Sequence, residues 1–281
     1  MKIINTFEGI LSLADEYKHL DCDYIEIWDK YMSEYPRLRD LCYQDMLEFN
    51  QMDYVHRDAD YALTSGLDKV KQASENFNKV SFLIKDRFNE FCPYGDQINL
   101  YFYMGLSNAA GWATEIDDVG TILIGAEKVV SLDWHGYSQM KNLIAHELAH
   151  EAHRLFRGES IDQTFDQPDM ASIWQIYIEG FGQRAQQLIS DDSNYHQDDG
   201  KWLEFCQSNE ERLRSLYYEL TINNKSTQDF FGDWCKIEGY SDIGYYLGSK
   251  WVDRLHETYS FEEIARFDYD KIKQEFIRFF S

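Results

Sequence analysis

Apolar residues recur at three- and four-residue steps through most of the first ninety positions. Asp23–Met32 and Leu38–Phe49 carry that spacing and Val70–Phe91 repeats it, which predicts amphipathic helices over about residues 8–92. The period changes near Pro93-Tyr94-Gly95. Gln97–Met104 is rich in strand formers, and Thr121–Ile124 lies between glycines, so both read as strands of a small sheet. Between them, Ser107–Trp112 is small and glycine-containing, and reads either as a hairpin connection or as a sheet edge near a site. The helical period returns in Ser138–Phe156, with Ser138 as N-cap, and in Ala171–Ile189 after a stop at Pro168. Further helices are predicted over Lys201–Leu220 and Asp242–Thr258. A capping box at Ser260–Glu263 follows, then a terminal helix ending near Phe280. The expected fold is α+β and predominantly helical, with an N-terminal helical region over 1–92 and a second region over 93–281.

Composition narrows the function classes. With 281 residues, 44% of them hydrophobic, the chain can bury a large core. A formal net charge of −23 argues against nucleic acid or an anionic membrane as partner, and favours neutral or cationic substrates. No stretch approaches the roughly 18 uncharged apolar residues of a membrane span. The N-terminus lacks the basic start and continuous apolar run of a signal peptide. The five cysteines are dispersed, with no C-x-x-C pair, and read as free thiols in a reducing compartment. These features together predict a cytoplasmic protein; they leave the oligomeric state open. His19 and His56 stand alone in the N-terminal region and read as ordinary surface or core histidines.

The chemistry concentrates at His146-Glu147-Leu148-Ala149-His150. On a helix, residues four apart lie one turn above each other, so both imidazoles can reach one metal ion. Glu147 sits about 100° round from His146, placed to act on water at that ion without being a ligand. Ile144, Leu148 and Leu155 fall on one face of the predicted helix, opposite His146, His150 and His153. That spacing favours zinc over a set of merely solvated histidines.

A catalytic zinc ion takes three protein ligands and keeps a fourth position for water. Glu179, in a helix otherwise apolar or uncharged around it, is the expected third ligand. Gly180 and Gly182 beside it lower helix propensity and point to close backbone approach. Glu159, Asp162, Asp166 and Asp169 are rivals, but they lie in the polar connection, which holds a ligand less rigidly than a helix does.

HELAH followed by a helical glutamate resembles the gluzincin zinc peptidases, whose third ligand is a glutamate on a downstream helix. More narrowly, Gly120–Gly125, Ile178–Phe181 and Gly244–Gly248 are similar to blocks of a bacterial group of predicted zinc-dependent proteases of unknown physiological role. The resemblance covers about residues 95–260. It implies a zincin-like helix pair beside a small sheet within 93–281, and Zn²⁺ held by His146, His150 and Glu179. It also implies Glu147 as general base and a peptide or protein substrate. The 28 residues between His150 and Glu179 exceed the spacing in compact members. The longer metzincin motif fails, because Phe156 stands where its third histidine belongs. Gluzincin-like sites commonly add a tyrosine or histidine that stabilises the oxyanion. The resemblance at Gly244–Gly248 points to Tyr245 for that role, with Tyr246 and then His256 as alternatives.

A different class of function remains open at this stage. The same ligands would serve a non-catalytic, zinc-stabilised interaction protein, although such a site has no use for Glu147. A helical binding protein without metal is the third reading.

Overall fold

The computed structural model describes residues 1–281 apart from 19–22, 50, 51, 96, 196, 199 and 233, so His19 and Cys22 lie outside the described residues. The chain is predominantly helical with one small mixed sheet, as the hydrophobic pattern predicts. It forms two compact units, residues 1–147 and 148–281, and the division falls inside a single helix.

In the first unit, β1 (Lys2–Asn5), β2 (Ile98–Tyr103), β3 (Gly111–Ile116) and β4 (Val119–Gly125) form a sheet in the order β1-β2-β4-β3. β1, β2 and β4 run parallel, and β3 returns antiparallel on β4, pairing Gly111 with Ile124. β4 reads Val-Gly-Thr-Ile-Leu-Ile-Gly and is buried almost throughout, as a strand covered on both faces must be. β3 is partly exposed and has a neighbour on one side only. Asp117 and Asp118 join β3 to β4 with φ of +53° and +62°, the left-handed pair that a two-residue hairpin requires.

The helices of this unit are α1 (Phe7–Lys18), α2 (Tyr24–Tyr31), α3 (Pro36–Glu48), α4 (Met52–Leu63), α5 (Leu67–Phe91), α6 (Ala126–Ser131) and the start of α7 (Tyr137–Arg157). Asp23 caps α2 by accepting the Ile25 N–H at 3.1 Å. Ile10, Trp28, Phe77, Val80, Phe88, Leu100, Phe102 and Leu123 are completely buried. Each such side chain contributes about 1.5–3 kcal/mol.

The connection from Met104 to Ala110, between β2 and β3, is irregular but fixed by buried side chains. Trp28 Nε1 donates to Met104 O at 2.8 Å and the Tyr24 hydroxyl to Gly105 O at 3.0 Å. The Glu127 carboxylate accepts the N–H groups of Gly105 at 2.8 Å and Ser107 at 3.2 Å. Asn108 accepts from Leu106 N and donates to Asp45, while the Ser107 hydroxyl donates to Asp58. The connection therefore delivers the first residue of β3 to a defined position.

In the second unit, α7 continues and is followed by α8 (Pro168–Ser190), α9 (Trp202–Ser208), α10 (Glu210–Ile222), α11 (Ile243–His256), α12 (Phe261–Ala265) and α13 (Tyr269–Phe280). α11 crosses α8 where two glycines meet. A Cβ on Gly180 would stand 2.4 Å from Gly248 O, and one on Gly248 would stand 2.6 Å from Ile176 O. Neither contact tolerates a side chain, so the backbones approach directly. Gly244 has a different reason for being glycine: the Phe231 ring covers it, 2.3 Å from where a Cβ would be.

Several boundaries differ from expectation. α7 starts at Tyr137, which puts Ser138 inside the first turn and not at the N-cap. Pro168 is the first residue of α8, where its missing N–H costs nothing, so it opens the helix and does not precede it. The predicted helix over 201–220 is broken at Asn209, with φ of −120°. The capping box at Ser260 and Glu263 is present in full. Among the described residues no helix is long and apolar enough to cross a membrane. Cys42, Cys92, Cys206 and Cys235 are free thiols.

Candidate metal centre

α7 places His146 and His150 one turn apart, and α8 supplies Glu179. One ligand atom from each of these residues lies within 4.8 Å of the others, and among the described residues this is the one group of histidine, cysteine or carboxylate side chains so arranged. His150 Nε2 stands 3.4 Å from Glu179 Oε2. Ligand atoms on a tetrahedral zinc ion, with bonds of about 2.0–2.1 Å, are separated by about 3.3–3.4 Å. The His150–Glu179 pair already has that spacing. His146 is 4% exposed, and the His150 and Glu179 side chains are 12% and 18% exposed. Two imidazoles and one carboxylate, mostly withdrawn from water but not sealed, make a donor set that fits zinc.

The rival carboxylates stand apart from this group. Glu159 pairs with Arg157 at 2.7 Å, and Asp169 lies 3.3 Å from Lys273. Asp162 and Asp166 are exposed in the connection between α7 and α8.

Glu147 is 7% exposed and faces the start of β3. A Cβ on Gly111 would lie 2.8 Å from both Glu147 Cγ and Glu147 Oε1. The absence of a side chain at Gly111 is thus what lets the sheet edge and the carboxylate meet. The stretch Ser107–Trp112, readable from sequence as either a hairpin connection or a sheet edge, contains both the end of the clamped connection and the first residues of the edge strand. Gly111 itself was not singled out as a site residue. Its sequence signal is a glycine at the head of a strand, which marks close approach of another group.

His153 does not join the ligands. It is completely buried, stacked on Phe181 with ring centroids 4.1 Å apart, and Tyr177 meets it edge-on. Burial holds its pKa well below the ordinary value, so the ring is neutral. The expected helix face carrying three histidines therefore divides: two belong to the centre, and the third packs α7 against α8. α7 also has no solvated face in its middle, because Ile144, Leu148 and Ala152 are as deeply buried as the histidine side.

Tyr245 and Tyr246 diverge as adjacent helical residues must. Tyr246 is buried, its hydroxyl donates to Glu210, and its ring lies against Tyr195 and Trp202. Burial and the Glu210 carboxylate push its pKa far up. Tyr245 is partly exposed, with Phe231 edge-on at 5.8 Å, and lies one turn before Gly248 at the α8 crossing. His256 is held by its own turn, with Nδ1 3.0 Å from Tyr259 O and its ring against Phe261.

No family model, no curated protein and no solved structure matches this chain.

Proposed function

We propose that this protein is a zinc-dependent peptidase of gluzincin type, acting in the cytoplasm on peptide or protein substrates. The observation that carries the reading is the convergence of His146, His150 and Glu179, with a carboxylate, Glu147, next to the first histidine in the chain. When bound, zinc supplies Lewis acidity, lowering the pKa of water towards about 7 and polarising the scissile carbonyl.

The chain's own residues do the rest. Glu147 takes a proton from the attacking water and delivers it to the leaving amine. The one-sided edge of β3 offers main-chain donors and acceptors to an extended peptide, and Gly111 brings that edge against the base. Tyr245 donates its hydroxyl to the developing oxyanion. Tyr246 is committed to Glu210 and does not serve. The net charge of −23 favours neutral or cationic substrates.

The test is metal analysis of the purified protein together with cleavage of a peptide library before and after chelation. Stoichiometric zinc and chelator-sensitive cleavage support the proposal. Stoichiometric zinc without cleavage of any peptide would favour a zinc-stabilised interaction protein.

A further inference from the structure

Asn142 lies four residues before His146 on α7 and is 1% exposed. Its Oδ1 is buried and makes no hydrogen bond to any described residue, His146 included. A buried amide oxygen in that state costs about 1–3 kcal/mol, so its presence calls for a donor. Side chains on a helix lean towards its N-terminus, which puts the residue at 146 over the turn that holds 142. Leu143, the other residue one turn back from His146, is apolar and can accept nothing.

A histidine that binds metal through one ring nitrogen carries N–H on the other. An acceptor for that N–H fixes both the tautomer and the orientation of the ring. We propose that Asn142 is a positioning residue for the metal centre, its Oδ1 accepting the N–H of the His146 ring nitrogen turned away from the metal. The inference rests on the reading of His146, His150 and Glu179 as metal ligands. An amide suits the task because it orients the ring without adding a further negative charge beside Glu147 and Glu179. Zinc binding, by fixing the tautomer with its N–H on that nitrogen, would give the buried oxygen its donor.

Two substitutions test this, read by zinc affinity in competition with a chromogenic chelator and by the melting temperature of the metal-free protein. Asn142→Leu keeps the size and removes the acceptor; Asn142→Asp keeps an acceptor. The expected result is a 10- to 100-fold loss of zinc affinity in Asn142→Leu, with the metal-free melting temperature unchanged or raised. Asn142→Asp should bind zinc at least tenfold more tightly than Asn142→Leu. A purely packing role predicts a lowered metal-free melting temperature instead. Zinc affinity of Asn142→Leu within twofold of the parent would overturn the proposal while leaving the metal centre standing. A parent that binds no zinc would overturn both. Should Asn142→Leu fail to fold, the zinc-loaded parent decides by NMR: the His146 ring N–H must show a nuclear Overhauser effect to the Asn142 side chain, and its absence overturns the assignment.

Discussion

Gly111 and Glu147 are in contact across the first unit, and a methyl group on the glycine would stand 2.8 Å from the glutamate's Cγ and Oε1. Leu143 Cδ1 closes the same space at 3.0 Å, so the neighbours have little room to withdraw. Gly111→Ala should displace the carboxylate, lowering kcat about 10- to 100-fold and costing about 1–3 kcal/mol of stability. Zinc content should not change, because Glu147 is not a ligand. Turnover and metal content measured on the same preparation check this; parent-like kcat would show that the contact is irrelevant to the base.

Glu127 gives the fold a pH dependence. Burial pushes its carboxyl up to about 7 from an ordinary 4.5, against the opposing effect of the Gly105 and Ser107 N–H groups. The groups facing it, Asp58, Tyr24, Tyr31, Cys42 and Tyr103, offer no compensating positive charge. The folded state therefore binds this proton more tightly than the unfolded chain does. Its contribution to stability is fully present below about pH 4.5 and is lost as pH rises through about 7. The size is on the order of 3 kcal/mol. Urea unfolding of the parent and Glu127→Gln at pH 5 and pH 8 measures it. The parent's stability relative to the variant should fall between the two pH values; a constant difference would refute the assignment.

The ligand set makes a graded prediction. His146→Ala or His150→Ala should abolish stoichiometric zinc, and Glu179→Ala should weaken it at least a hundredfold. Asp162→Ala and Asp166→Ala should bind zinc like the parent, since both side chains are exposed away from the group. Tight zinc in Glu179→Ala would move the third ligand elsewhere.

The adjacent tyrosines should separate cleanly. Tyr245→Phe removes one hydroxyl and should lower kcat about ten- to a thousandfold with little change in KM. Tyr246→Phe leaves Glu210 without its hydroxyl partner and should instead lower stability by about 1–2 kcal/mol. Unchanged kcat in Tyr245→Phe, with fold and zinc intact, would exclude that phenol as the oxyanion donor.

Much of this architecture is legible in the sequence because period and capping are local properties. The α8 and α11 cores, the strands β2 and β4 and the Ser260 capping box all follow from residue spacing. β1 and β3 do not. β1 is four residues long and gains its identity from parallel pairing with β2, ninety-seven positions away. β3 is a half-exposed edge whose hairpin uses Asp117-Asp118, a weaker turn signal than a glycine-containing pair. The spacing of His146 and His150 could be read directly, because both lie on one helix. Their meeting with Glu179 depends on the α7–α8 packing made by His153 and Phe181, a contact that no one-dimensional pattern encodes. The same limit hid Gly111 and Asn142, whose significance lies in what stands beside each in space.

Whether Glu147 is the base of a zinc peptidase is tested most directly by Glu147→Gln. The substitution keeps shape and burial while removing the proton acceptor. With a peptide that the parent cleaves, the variant should retain full zinc occupancy and lose at least a thousandfold in kcat. A variant that keeps both its zinc and most of the parent's kcat would contradict the mechanism.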